Sequence, residues 1–88
     1  MPDTMQYTGG RPSRSKLKLL GIILRSHRED RKLQQSELAE MTGISQGVLS
    51  KLERGEVRDI KLFAHLKPIA DAYGITIDEL LRYEDLRV

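Results

Sequence analysis

The chain has no cysteine and no tryptophan, and only one phenylalanine and three tyrosines among 88 residues. Without cysteine there is no disulfide framework, thiolate metal site or thiol nucleophile, in keeping with a reducing compartment. Long apolar runs are missing too: none approaches the ~20 residues that span a bilayer, and the first residues lack the apolar core of a secretory signal. The expectation is a soluble, cytoplasmic protein. Histidine is scarce, with only His27 and His65 present. Neither stands in an HExxH or other metal spacing, and a lone helical histidine is ordinarily packed or solvated. No GxSxG, P-loop or dinucleotide fingerprint occurs, and Glu29-Asp30 and Glu84-Asp85 read as solvated charge. The chain is therefore not expected to be an enzyme, or to need a metal or cofactor.

What is present is charge, unevenly placed. The formal net charge is +2, yet residues 1–35 hold eight Lys or Arg against three acids, a net of +5, while residues 36–88 hold seven against ten, a net of −3. One end of the chain is suited to phosphates and the other is not. Eighty-eight residues make one small domain, near the size at which a single core barely suffices. Residues 1–15, with two prolines, a Gly-Gly pair and no periodicity, read as a disordered basic arm, leaving 16–88 as the domain. Arg11 and Arg14 in that arm suit a DNA minor groove.

Hydrophobic periodicity predicts five helices. The first runs from about Lys16 to Arg31, with Leu17, Leu20, Ile23 or Leu24, and His27 or Arg28 recurring at intervals of three and four. Gly21 inside it marks a close helix contact, since glycine costs ~1 kcal/mol relative to alanine there. The second covers Gln35–Thr42 and the third Gln46–Arg54. Between them Thr42-Gly43-Ile44 breaks the pattern, with Gly43 suited to a left-handed turn and Ile44 folding back into the core. Ala39 permits close crossing of the two helices, Ser45 is a good N-cap able to accept from the Val48 amide, and Gly55 is a good stop. A charged connection, residues 56–61, follows. The fourth helix, about Leu62 to Tyr73, should present Leu62 or Phe63, Leu66, Ile69, Ala70 and Tyr73 to the core. Pro68 should kink it, or split it into two pieces meeting near Lys67. Gly74 would end it, and Thr76 to Glu79 has the form of a capping box opening a fifth helix to about Tyr83.

The segment Gln35–Arg54 is a helix-turn-helix by spacing. With Gln35, Leu38, Ala39, Gly43, Ile44, Leu49 and Leu52 in register, followed by Glu53-Arg54-Gly55, it resembles the phage-repressor and Cro, or XRE-type, family, over about Leu20 to Leu81. The resemblance implies an all-α, compact five-helix, lambda-repressor-like domain whose third helix lies in the major groove. Carried over residue by residue, Ser45, Gln46, Gly47 and Lys51 face the bases. Gln46 can pair with adenine N6 and N7, and Lys51 can donate to guanine O6 or N7. Gly47 offers no side chain for this, so it either reduces specificity or lets the helix seat more deeply. Phosphate contacts fall to Gln35, Ser50, Arg54, Arg58 and Lys61, although Glu56 and Asp59 oppose them, and Arg28 and Glu53 match a structural pair joining helix 1 to helix 3.

These features lead to a sequence-specific DNA-binding transcriptional regulator, most simply a repressor binding a pseudo-palindromic operator in double-stranded DNA as a homodimer. Half-sites would lie ~34 Å apart, with Leu80, Leu81, Tyr83 and Leu86 at the dimer interface unless the core consumes Leu80 and Leu81. Two other readings stand beside it. The chain could be an antitoxin that autoregulates its operon and pairs with a toxin, or a protein-interaction adaptor or coactivator with weak DNA binding.

Overall fold

The apolar repeat of the first helix becomes a buried stripe of Leu17, Gly21, Leu24 and His27, with Leu20 and Ile23 half-buried beside it. This helix, α1, spans Arg14–Asp30 in the computed structural model, which describes residues 14–82. It begins two residues before the sequence pattern suggests, with Arg14 and Ser15 in its first turn. Arg11 and the remainder of that arm lie outside the described residues. Gly21 is where α1 meets the backbone of the third helix: a methyl group built on it would stand 2.4 Å from the Glu53 carbonyl oxygen.

α2 (Gln35–Thr42) and α3 (Gln46–Glu53) follow, joined by a three-residue turn. Gly43 takes φ 79° and ψ 2°, the left-handed conformation open to glycine at low cost, and its amide donates to the Ala39 carbonyl at 2.9 Å. Ile44 then turns inward and is buried. The Ser45 hydroxyl accepts from the Val48 amide at 3.2 Å, capping α3. α3 ends at Glu53, with Arg54 as its cap and Gly55, at φ 73°, reversing the chain.

The fourth expected helix is in two pieces that meet at Lys67. A π-helical turn, Leu62–Leu66, leads into α4 (Lys67–Tyr73). Pro68 explains the junction. It has no amide to donate, and its ring would crowd the carbonyl four residues earlier, whereas a wider turn, with the Lys67 amide reaching back to the Leu62 carbonyl, gives the ring room. The extra residue changes the helix phase, and this corrects the expected core. Leu62 is 47% exposed and Phe63 76%, while Val57 and Ile60 from the preceding connection pack on the core in their place.

α5 (Ile77–Leu81) opens with the expected capping box: Thr76 accepts from the Glu79 amide at 3.0 Å, and Glu79 accepts from the Thr76 amide at 2.9 Å. Leu80 is wholly buried, which removes it from any dimer interface, whereas Leu81 is 40% exposed. Tyr83 and Leu86 lie outside the described residues. All five helices and the π-turn send side chains into one core, centred on Leu24, Leu38, Leu49, Leu52, Ile69 and Leu80. No helix among the described residues is long and apolar enough to cross a membrane.

One buried polar contact closes the bundle. The His27 Nε2–H donates to the Leu80 carbonyl at 2.9 Å, which leaves Nδ1 to accept from the Arg31 guanidinium at 3.2 Å. The Arg31 guanidinium lies 4.1 Å from the centre of the Tyr73 ring, and that ring stacks on His27 with 6.1 Å between centroids. Desolvation lowers the His27 pKa below the ordinary histidine value, and burial pushes the Tyr73 phenol up to about 12.

Candidate nucleic-acid interface

α3 divides its eight residues between two tasks. Leu49 and Leu52 are 1% exposed and anchor it, and Val48 is half-buried against the core. Ser45, Gln46, Gly47 and Lys51 are exposed on the outer face. The side chains of Gln46 and Lys51 make no hydrogen bond or ion pair with any described residue. The Ser45 hydroxyl oxygen accepts in the cap it makes, and its proton remains available for donation. A methyl group built on Gly47 would meet nothing within 4 Å, so internal packing does not call for glycine there. The surface thus offers an amide fork, an ammonium and a hydroxyl over a helix turn with open space at its centre. Such groups can donate to or accept from base edges in the major groove.

The mount beneath this surface is polar and rigid. Arg28 grips Glu53 through two bonds, at 2.7 and 2.9 Å, and gives a third, at 2.7 Å, to the Leu33 carbonyl. Both side chains are largely buried, at 12% and 6% exposure. The Glu53 carboxylate raises the Arg28 pKa above its ordinary value, mainly by hydrogen bonding. Gln35 joins the same carboxylate, donating to Glu53 at 3.0 Å. Its side chain therefore faces inward and ties the start of α2 to the end of α3.

The other phosphate candidates differ in what they already hold. Arg54 forms two bonds to Glu56, at 3.1 and 3.0 Å, and one to the Ser50 hydroxyl. Lys61 pairs with Asp59 at 2.8 Å. Arg58 makes no hydrogen bond or ion pair among the described residues. The two acids of the connection thus occupy two of these three cations, Arg54 and Lys61. These pairs are exposed, however, and exposed pairs are weakened by solvent screening, so a phosphate can replace either carboxylate at small cost. Sequence reading overlooked Lys18, and it placed Arg14 in the arm. The spacing is legible in the sequence: Arg14 and Lys18 are four residues apart, on one face of α1.

Residues 24–80 match the family model described as helix-turn-helix. No curated protein matches the chain. The matched span begins inside α1 and ends at Leu80, so it covers both halves of the reading motif, the mount and the core.

Proposed function

The chain belongs to the XRE-type helix-turn-helix family of DNA-binding transcription regulators, and from that premise we propose that it is a repressor that recognises an operator through the outer face of α3. The carrying observation is the pair Gln46 and Lys51: exposed, uncommitted to other described side chains, and backed by the buried Leu49 and Leu52. A side chain without an internal partner breaks no internal contact when it turns to a base edge, and each good contact discriminates between bases by ~1 to 3 kcal/mol. Ser45 assists at the helix start, and Gly47 leaves room for close approach. Arg58 supplies a phosphate contact, as do Arg54, Ser50 and Lys61 once their acids yield. Gln35 acts through Glu53 and the amides that open α2. Two copies would read a pseudo-palindromic site and block polymerase by occupancy, working on nucleoid DNA in the cytoplasm. Of the residues expected at the contact between copies, Leu81 is described and exposed.

The test is selection from a random duplex pool at two salt concentrations. Phosphate contacts alone give binding that collapses with salt and sorts nothing. Enrichment of an inverted repeat at both concentrations is expected, and Lys51→Ala should lose preference at one position of each half-site with folding unchanged. An unsorted pool from folded protein refutes the reading. A second reading, an adaptor that binds DNA weakly, draws on the Arg54–Glu56 and Lys61–Asp59 pairs and on Gly47, and an unsorted pool would favour it.

A further inference from the structure

Arg14 stands in the first turn of α1, one helical turn before Lys18 and on the same face. The helix lies against Gly55 there. A methyl group on Gly55 would come within 2.8 Å of the Lys18 Cα and 3.0 Å of the Leu17 carbonyl carbon, so the start of α1 and the end of α3 meet backbone to backbone. The contact leaves a cleft of about 170 Å³, with Arg14 and Leu17 on one wall and Gly55, Glu56 and Arg58 on the other.

The charges in this cleft do not balance. Arg14, Lys18 and Arg58 have no ion pair or hydrogen bond from their side chains among the described residues. The one carboxylate on its wall, Glu56, already has both oxygens on Arg54. Glu56 also has Lys51 and Lys18 near enough to act on it, and its amide donates to the Lys51 carbonyl at 2.8 Å. Arg14 and Arg58 thus line the cleft, and Lys18 and Lys51 act on its one carboxylate, which is already neutralised by Arg54. Like charges held together without counter-ions attract a multivalent anion strongly. Guanidinium groups suit a phosphate, which accepts their forked donors. The cluster is continuous with the α3 surface through Lys51. An anion seated here would therefore belong to the same ligand that α3 reads.

We propose that Arg14, Lys18 and Arg58 form a clamp for a phosphate of the DNA backbone beside the bases contacted by α3. This rests on the reading of α3 as the helix that enters the groove. The clamp joins the start of α1 to the end of the recognition helix, and it adds affinity without sequence preference.

The experiment measures binding to a short mixed-sequence duplex over a range of salt, for the wild type and for Arg14→Gln, Arg58→Ala and Lys67→Ala. Each clamp variant should flatten the plot of log affinity against log salt by a part of the ~0.9 that one whole phosphate contact contributes, since two cations of the clamp stay on the phosphate. It should also weaken binding to unrelated duplexes by the same factor, with an unchanged circular dichroism spectrum. Lys67, held by Asp71 on α4, removes the same charge elsewhere and should leave the slope alone. Inorganic phosphate at matched ionic strength should not displace the duplex. If the wild type binds with a steep slope that neither clamp variant changes, the clamp is overturned and the regulator reading stands. Equal flattening by Lys67→Ala, or displacement by inorganic phosphate, also overturns it, in favour of net charge or a free anion. A folded wild type that binds no duplex overturns both readings.

Discussion

Gly21 is the residue at which the usual helix rule reverses. Alanine is ordinarily worth ~1 kcal/mol more than glycine inside a helix, but here the added methyl would collide with the Glu53 carbonyl at 2.4 Å. Gly21→Ala should therefore destabilise the domain by roughly 1–3 kcal/mol, the range for overpacking, read as a lower urea midpoint. At Gly47, where the space is open, the same substitution should raise stability by up to ~1 kcal/mol. Glu53→Gln leaves the Arg28 guanidinium enclosed without a countercharge and should cost about 3–5 kcal/mol. His27 sets a pH dependence. Its folded pKa lies below the unfolded value near 6.5, so its contribution is complete above about pH 6.5. That contribution is lost as pH falls toward the folded pKa, because the unfolded chain takes up the proton first. Protonating Nδ1 would also set a positive ring against Arg31. The urea midpoint should fall between about pH 7 and pH 5, and His27→Gln should flatten that decline. Gly21, Gly43 and Ser45 were legible because each answers a local need, of close approach, handedness or capping. The bond from His27 to Leu80 was not, because it joins residues 53 positions apart and no local pattern announces it.

Helices were readable as far as their periodicity ran unbroken. α2, α3 and the start of α5 lie where apolar spacing and caps placed them. α1 begins earlier because Arg14 and Ser15, polar residues on an exposed first turn, leave no apolar trace in the pattern. The fourth helix shows a different failure. Pro68 predicted a break, and the break is there, but the width of the turn before it decides which side chains face inward. That width follows from tertiary crowding, so the inward side chains became Val57 and Ile60 in place of Leu62 and Phe63. α5 has five residues and cannot persist alone, so its capping box and the buried Leu80 must hold it. Thr76→Ala should cost ~1 kcal/mol, and hydrogen exchange should quicken first at the amides of residues 78–80.

For the molecule as a whole, part of the charge asymmetry read from the sequence acquires a location: the start of α1 packs on Gly55 at the end of α3, with Arg14 and Arg58 lining one cleft and Lys18 and Lys51 acting on its carboxylate, Glu56. Ligand binding should be visible in stability, because a domain this small has little to spare. A cognate duplex at about a hundredfold excess over its Kd adds ~2.7 kcal/mol, which for a chain of this length raises Tm by at least about 10 °C. A scrambled duplex at the same concentration should raise it less. The division of labour within α3 reaches further. Leu49, Leu52 and Glu53 carry its seating, while Gln46, Gly47 and Lys51 touch nothing that the fold depends on. A lineage carrying this domain can therefore exchange the outward residues one at a time without passing through an unfolded ancestor. Its vocabulary is free to drift while its grammar stays put.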